Sequence, residues 1–168
     1  MGIHFVSSLK HTLQKSLILL ERLPNSVYIN DSVGPFYSSI GGHIRHILDF
    51  YTSILKGVNN YLIDLTDRDR NTFIETDVYF AIAEIKKVLT ELENYTVYDL
   101  EDKYELIDDL GQGKVSIPTN LYSILVQANS HTIHHYAIIS QLLFAFEINI
   151  DDKFFGYNPT TPIKDTKN

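Results

Sequence analysis

The sequence predicts an all-α fold, a four-helix bundle with a small hairpin before the last helix. Apolar residues recur at three- and four-residue spacing in four separate stretches, which is the pattern of amphipathic helices. The chain has 168 residues, of which 44% are hydrophobic and 21% charged, and these values fit one ordinary domain with a buried core. Neither an internal repeat nor a long linker divides it. We therefore expect residues 1–168 to form a single domain, with an extended C-terminal tail from about residue 149 to residue 168.

The first two predicted helices have recognisable ends. The first runs from about residue 5 to residue 23, and Pro24 ends it. A loop rich in Asn, Asp, Gly and Pro follows. The second helix begins near Ser38 or Ser39, either of which could cap it, and Gly57 is its expected end.

The third helix follows a predicted loop at residues 58–71. It begins at Thr76 or Asp77, which could serve as its N-cap, and it runs to about Asn94. Its apolar residues again recur at helical spacing.

The hairpin and the fourth helix complete the prediction. Residues 104–107 and 114–117 flank the turn Gly111-Gln-Gly113, which is typical of two short strands joined by a glycine-containing turn. The fourth helix is the longest and runs from about residue 119 or 120 to residue 146. Three aromatic residues of the tail could pack across the bundle, namely Phe154, Phe155 and Tyr157.

Composition excludes several classes of function. The chain has no cysteine, which excludes disulfides, thiolate zinc sites, iron–sulfur clusters and a cysteine nucleophile. The formal net charge of −7 argues against nucleic-acid binding, because neutralising phosphates needs a basic surface. The first residues lack a basic segment followed by an apolar one, so we expect neither a signal peptide nor a membrane span, and a cytoplasmic location.

Five of the seven histidines fall in two clusters on predicted helices. His131 and His135 are four residues apart, so their imidazoles project from the same face of the last helix. They replace apolar residues on its inward stripe, whereas His134 lies on the polar side. Burying two adjacent imidazoles is costly unless something satisfies them. The pattern therefore predicts one divalent transition-metal ion, with a third ligand from a facing helix.

The second helix offers two candidates for that third ligand, His43 and His46. Periodicity does not decide between them, and it slightly favours His43. His4 and His11 have no comparable neighbours, and an isolated helical histidine is usually structural or exposed. Three imidazoles would leave open coordination positions for water, whose pKa the metal lowers towards ~7.

The two histidine segments resemble the DinB/YfiT-like family of metal-dependent four-helix bundles. The matching pieces are His46-Ile-Leu-Asp49 and His131-Thr-Ile-His134-His135. The resemblance implies a bundle of the DinB/YfiT-like type with an unusual crossover topology, often found as a homodimer. It also assigns the metal ligands to His46, His131 and His135. Three further residues are then neighbours of the ligands or alternative ligands, namely His43, Asp49 and His134.

The resemblance further implies a class of activity. Some relatives transfer low-molecular-weight thiols such as bacillithiol or mycothiol, and others look like hydrolases. We therefore expect a metal-dependent hydrolase or thiol transferase that acts on a small molecule through metal-bound water. Imidazole ligands suit zinc, nickel or iron, so the ligand type does not choose the metal. The alternative is a non-catalytic metal-binding or interaction bundle.

Four other polar residues are candidates for lesser roles. Arg45 and Tyr136 lie next to ligand positions and could contact a substrate. Arg68 and Arg70 alternate with aspartates in the predicted loop, which favours a loop-fixing ion network over a catalytic role.

Overall fold

The computed structural model describes residues 2–94 and 100–162, which form six α-helices, one 3₁₀ turn and three β-strands. In chain order these elements are α1 (Gly2–Leu20), α2 (Asn25–Tyr28), α3 (Ile40–Gly57), the 3₁₀ turn (Val58–Asn60), β1 (Leu62–Asp64), α4 (Thr72–Thr76), α5 (Val78–Asn94), β2 (Lys103–Asp109), β3 (Lys114–Asn120) and α6 (Leu121–Ala145). The prediction of an all-α four-helix bundle is therefore wrong. Four long helices are present, but two short helices and a mixed sheet accompany them.

The sheet has the strand order β1-β2-β3. Strand β1 runs parallel to β2, with Leu62 opposite Glu105, and β2 runs antiparallel to β3, with Lys103 opposite Asn120. The hairpin is present where the sequence predicts it, and its two turn glycines have positive φ angles, which glycine adopts at little cost. The sequence does not reveal β1, because three residues are too short to show alternation and their partner strand lies about forty residues further on.

Helix α3 lies between α5 and α6, and α1 also contacts both of these helices. Their facing surfaces carry fully buried aliphatic side chains, among them Leu13, Ile44, Leu48, Ile85 and Ile139. Burying each side chain of this size contributes roughly 1.5–3 kcal/mol. This core fixes α3 and α6, the two helices that carry the histidine clusters, relative to each other.

The starts of α3 and α6 are confirmed by side-chain caps. The Ser39 hydroxyl accepts a hydrogen bond from the Gly42 amide at 2.9 Å, and the Asn120 side chain accepts one from the Ser123 amide at 2.9 Å. Both caps satisfy an amide that has no partner within the helix. Asp77 caps α5 in the same way, through the amide of Tyr79.

The tail is less extended than the sequence predicts. Residues 151–161 form turns and bends, and the last six residues of the predicted tail, 163–168, lie outside the described residues. Of the three tail aromatics, only Phe155 is buried, and it stacks on Tyr136 with 4.4 Å between ring centroids. Phe154 and Tyr157 remain about half exposed. No helix in the described part of the chain has the length and apolarity that a membrane crossing requires.

Gly41 is required by the close approach of α4 to the first turn of α3. A Cβ at this position would lie 2.1 Å from the Glu75 carbonyl oxygen, whereas a Cβ at Gly42 would meet only the Ser39 hydroxyl, at 3.5 Å. We expect Gly41→Ala to lower the free energy of unfolding by about 1–3 kcal/mol, because backbone must move. Gly42→Ala is the matched control and should be neutral or stabilise by up to about 1 kcal/mol. Urea denaturation measures both, and an equal effect of the two substitutions would contradict this packing.

Candidate metal centre

Three histidines from two helices meet between α3 and α6. His46 of α3 and His131 and His135 of α6 each offer one ring nitrogen, and these three atoms all lie within 4.8 Å of one another. Their ring centroids are 4.5–4.9 Å apart. Nitrogens bound to one ion at about 2.0–2.1 Å in a tetrahedral site lie about 3.4 Å apart. Side-chain rotations that bring the three nitrogens closer together would let this group hold a metal ion.

One nitrogen of this group has no other partner. The Nε2 atom of His131 is buried, and within the described residues nothing hydrogen-bonds to it. The Phe50 ring lies on one side of this imidazole, with 5.0 Å between ring centroids. A buried polar atom without a partner costs about 1–3 kcal/mol. A metal ion would supply the missing interaction, so this orphaned atom fits a metal site.

The histidines of the centre are neutral at pH 7. Burial is the largest cause, and it lowers the pKa of His135 to about 3 and the pKa of His46 to about 4, with a smaller contribution from the neighbouring His131 in both cases. Burial also lowers the pKa of His131, and the Arg68 guanidinium lowers it further. A neutral imidazole keeps one nitrogen lone pair, which is the form that binds a metal.

His43 lies behind His135 and outside the three-ligand group. Its Nδ1 atom is 2.9 Å from Nδ1 of His135, and its Nε2 atom is 2.9 Å from the hydroxyl of Ser38. If His135 binds a metal through Nε2, its Nδ1 carries the proton and donates to His43. His43 then accepts at Nδ1 and donates to Ser38 from Nε2. This chain of hydrogen bonds would fix the ring orientation and the tautomer of His135.

The other two predicted neighbours of the ligands are placed differently. His134 is exposed on the outer side of α6, with its ring 5.3 Å from that of His135. The buried carboxylate of Asp49 accepts from Nη1 of Arg45 at 2.7 Å, so it faces this arginine rather than an imidazole. Arg45 also donates from Nε to Glu75 at 2.6 Å. Arg45, a candidate for substrate contact, is thus occupied by two carboxylates.

Tyr136 is a structural residue. Its ring is buried, and its hydroxyl donates to the carbonyl of Thr12 at 2.9 Å and also contacts the hydroxyl of Ser16. These bonds join α6 to α1 on the side of the helix that faces the tail. The sequence suggested a substrate contact because Tyr136 follows His135, but neighbouring residues on a helix point in different directions.

Sequence reasoning missed one neighbour of His46, which is Arg68. Its Nη1 atom lies 3.2 Å from Nδ1 of His46, and its Nε atom donates to the carbonyl of Leu65 at 2.8 Å. The sequence predicted only a loop-fixing role. No local signal could have placed Arg68 here, because the position of its loop depends on the long-range pairing of β1 with β2.

A separate cavity of about 590 Å³ lies between α1, α6 and the tail. His11 and Lys15 of α1 line it, together with Tyr157 of the tail. None of the three predicted ligands lines this cavity. It is therefore distinct from the histidine centre.

The comparisons with known proteins return no relative. No protein-family model, no curated protein and no solved structure matches this chain. The likeness to DinB/YfiT-like proteins consequently rests on the sequence alone, on the chain length, the helix layout and the two histidine segments.

Proposed function

We propose that this protein binds one divalent transition-metal ion through His46, His131 and His135 and is a metal-dependent enzyme, either a hydrolase or a transferase of low-molecular-weight thiols. The observation that carries the proposal is the partly buried three-histidine group, in which Nε2 of His131 has no hydrogen-bond partner among the described residues. A structural metal site usually has four protein ligands, whereas a catalytic site keeps a position open for substrate or water. Within the described residues this group has three members.

The residues of the site would have different roles in binding the metal and shaping its surroundings. The three imidazoles hold the ion, and an ion in such a site polarises a substrate oxygen or lowers the pKa of a water or thiol that reaches it. His43 and Ser38 orient His135 through their hydrogen bonds. The Phe50 ring covers His131 on one side, which excludes water there and strengthens electrostatic interactions.

Elemental analysis of protein purified without a histidine tag tests the proposal first. We expect close to one zinc, nickel or iron ion per chain. A screen of small esters, amides and thiols then tests turnover, which His135→Ala should abolish. Absence of bound metal, together with no uptake when metal is added, would overturn the proposed function. Metal without turnover of any substrate would leave the non-catalytic alternative.

His43→Ala should weaken the metal site without removing a ligand. Loss of the group that orients a metal-binding histidine typically costs 10–100-fold in affinity, and we expect a loss on the order of 10-fold here. Competition with a chromophoric chelator measures this affinity. His11→Ala is the control, since His11 lies in the separate cavity. Equal affinities of the wild type and His43→Ala would show that the contact with His135 has no such role.

A further inference from the structure

We infer that Arg68 is the receptor for an anionic group of the substrate, so that the site takes small molecules that carry a carboxylate or a similar anion close to the atom that reacts at the metal. This inference rests on the proposed function and adds a substrate class to it. The guanidinium is partly exposed and lies against His46, on the loop between β1 and α4.

Metal binding would release the guanidinium from His46. An arginine side chain only donates, so Nδ1 of His46 must accept the bond from Nη1 of Arg68. A neutral imidazole has one nitrogen lone pair. If a metal takes it at Nδ1, that atom can no longer accept. If a metal takes it at Nε2, the proton lies on Nδ1 and that atom becomes a donor. In both cases the Nη1 donor of Arg68 loses its acceptor.

The released donor would stay beside the metal. Nε of Arg68 donates to the carbonyl of Leu65 at 2.8 Å, and this bond anchors the base of the guanidinium independently of His46. In the structure, the Nη1 atom lies 3.2 Å from Nδ1 of His46, one of the three proposed ligands. A substrate with its reacting atom at the ion could therefore place an anionic group on Arg68 only a few bonds away. Arginine suits this role because its planar fork binds carboxylates with two parallel hydrogen bonds.

The pattern of ion pairs around the site leaves the guanidinium of Arg68 able to bind an anionic group. Arg45 is neutralised by direct ion pairs with Asp49 and Glu75. Among the described residues, no carboxylate lies within ion-pair distance of Arg68, and the Asp49 carboxylate attracts its charge only from further away. The two arginines balance the charges of Asp49 and Glu75. A divalent ion would thus make the centre positive, and an anionic substrate would match that charge.

Thiol binding to the cobalt(II)-loaded protein tests the inference without an activity assay. Mercaptoacetate and 2-mercaptoethanol each form a cobalt–thiolate bond that absorbs in the near ultraviolet, and they differ in one carboxylate. The preference for mercaptoacetate is the ratio of the affinities for the two thiols. Because the carboxylate could also chelate cobalt, the decisive quantity is the difference in this preference between the wild type and each variant. We expect the preference of the wild type for mercaptoacetate to fall on the order of 10-fold in Arg68→Gln.

Arg70→Gln is the matched control, because it removes the same charge from an exposed position of the same loop. It should keep the preference of the wild type. An unchanged preference in Arg68→Gln, or an equal loss in Arg70→Gln, would overturn the role of Arg68 and leave the metal site standing. Failure to take up cobalt is seen before any thiol is added, and it would overturn the proposed function and this inference together.

A second variant covers the case in which Arg68→Gln does not fold. Arg68→Lys keeps the charge, and its preference for mercaptoacetate should fall several-fold when KCl is raised from about 0.05 M to about 0.5 M, because salt screens a partly exposed ion pair. A preference that does not respond to salt would contradict a charge contact at this position.

Discussion

Replacing His131 with leucine should lower metal affinity on the order of 100-fold and leave the metal-free protein at least as stable as the wild type. Structural zinc sites bind with about 10–16 kcal/mol over four ligands, or about 3 kcal/mol for each ligand. The effect on the metal-free protein has the opposite sign, because the wild type buries the Nε2 atom of His131 without a partner. An apolar side chain of similar volume removes that cost of about 1–3 kcal/mol.

Two measurements are needed for this variant. Competition with a chelator gives the affinity, and urea denaturation in EDTA gives the stability of the metal-free protein. His134→Leu is the control, since it makes the same substitution three residues further along α6 at an exposed position, and it should leave metal affinity unchanged. If His131→Leu destabilised the metal-free protein by several kcal/mol and bound metal normally, His131 would be a packing residue and not a ligand.

The metal-free protein should lose roughly 2–4 kcal/mol of stability between about pH 7 and about pH 5. The pKa of His46 is about 4 and that of His135 about 3 in the folded chain, against 6.5 for an unperturbed histidine. The unfolded chain therefore binds more protons in this range, and stability falls as the pH falls. The contribution is fully present above pH 6.5 and is lost on the way down to the folded-state values. His46 contributes less than His135, because its ring is partly exposed and solvent screens its interactions.

Urea denaturation at several pH values in EDTA measures this dependence. His135→Gln cannot titrate at this position and should reduce the loss by about half. Bound metal should change the pH range in which this stability is lost, because protons compete with the ion for the same nitrogens. Stability that stayed constant from pH 7 to pH 5 would mean that the histidines are protonated equally in the folded and unfolded chains. The conclusion that His46 and His135 stay neutral in the folded chain would then be wrong.

The histidine pair on the last helix could be predicted because its geometry is local. Residues four apart share a face of any α-helix, and the apolar spacing around His131 and His135 identifies that face as the inward one. The choice between His43 and His46 could not be made from local geometry. They are three residues apart and share a face, and each is close to His135. Periodicity could not separate a ligand candidate from its supporting neighbour.

The features that the sequence did not predict all depend on long-range contacts. Strand β1 exists because it pairs with β2, and this pairing places the following loop, with Arg68, next to His46. Helix α4 has five residues and is too short for its spacing to be read from the sequence. The burial of Phe155 depends on the close approach of Gly156 to α6. A Cβ at Gly156 would lie 2.8 Å from the backbone of Ala137. None of these contacts leaves a periodic signal in the sequence.

The register of the hairpin also determines how the sheet ends. Glu105 is opposite Pro118, and its amide donates to the carbonyl of Tyr61 at 3.0 Å, towards β1. Paired residues of an antiparallel ladder direct their amides either both towards or both away from each other, so the nitrogen of Pro118 faces the outer edge of β3. That edge carries no further strand in the described residues, and a proline there offers no N–H. A strand from another molecule would lack one hydrogen-bond donor at this position, which disfavours edge-to-edge pairing there.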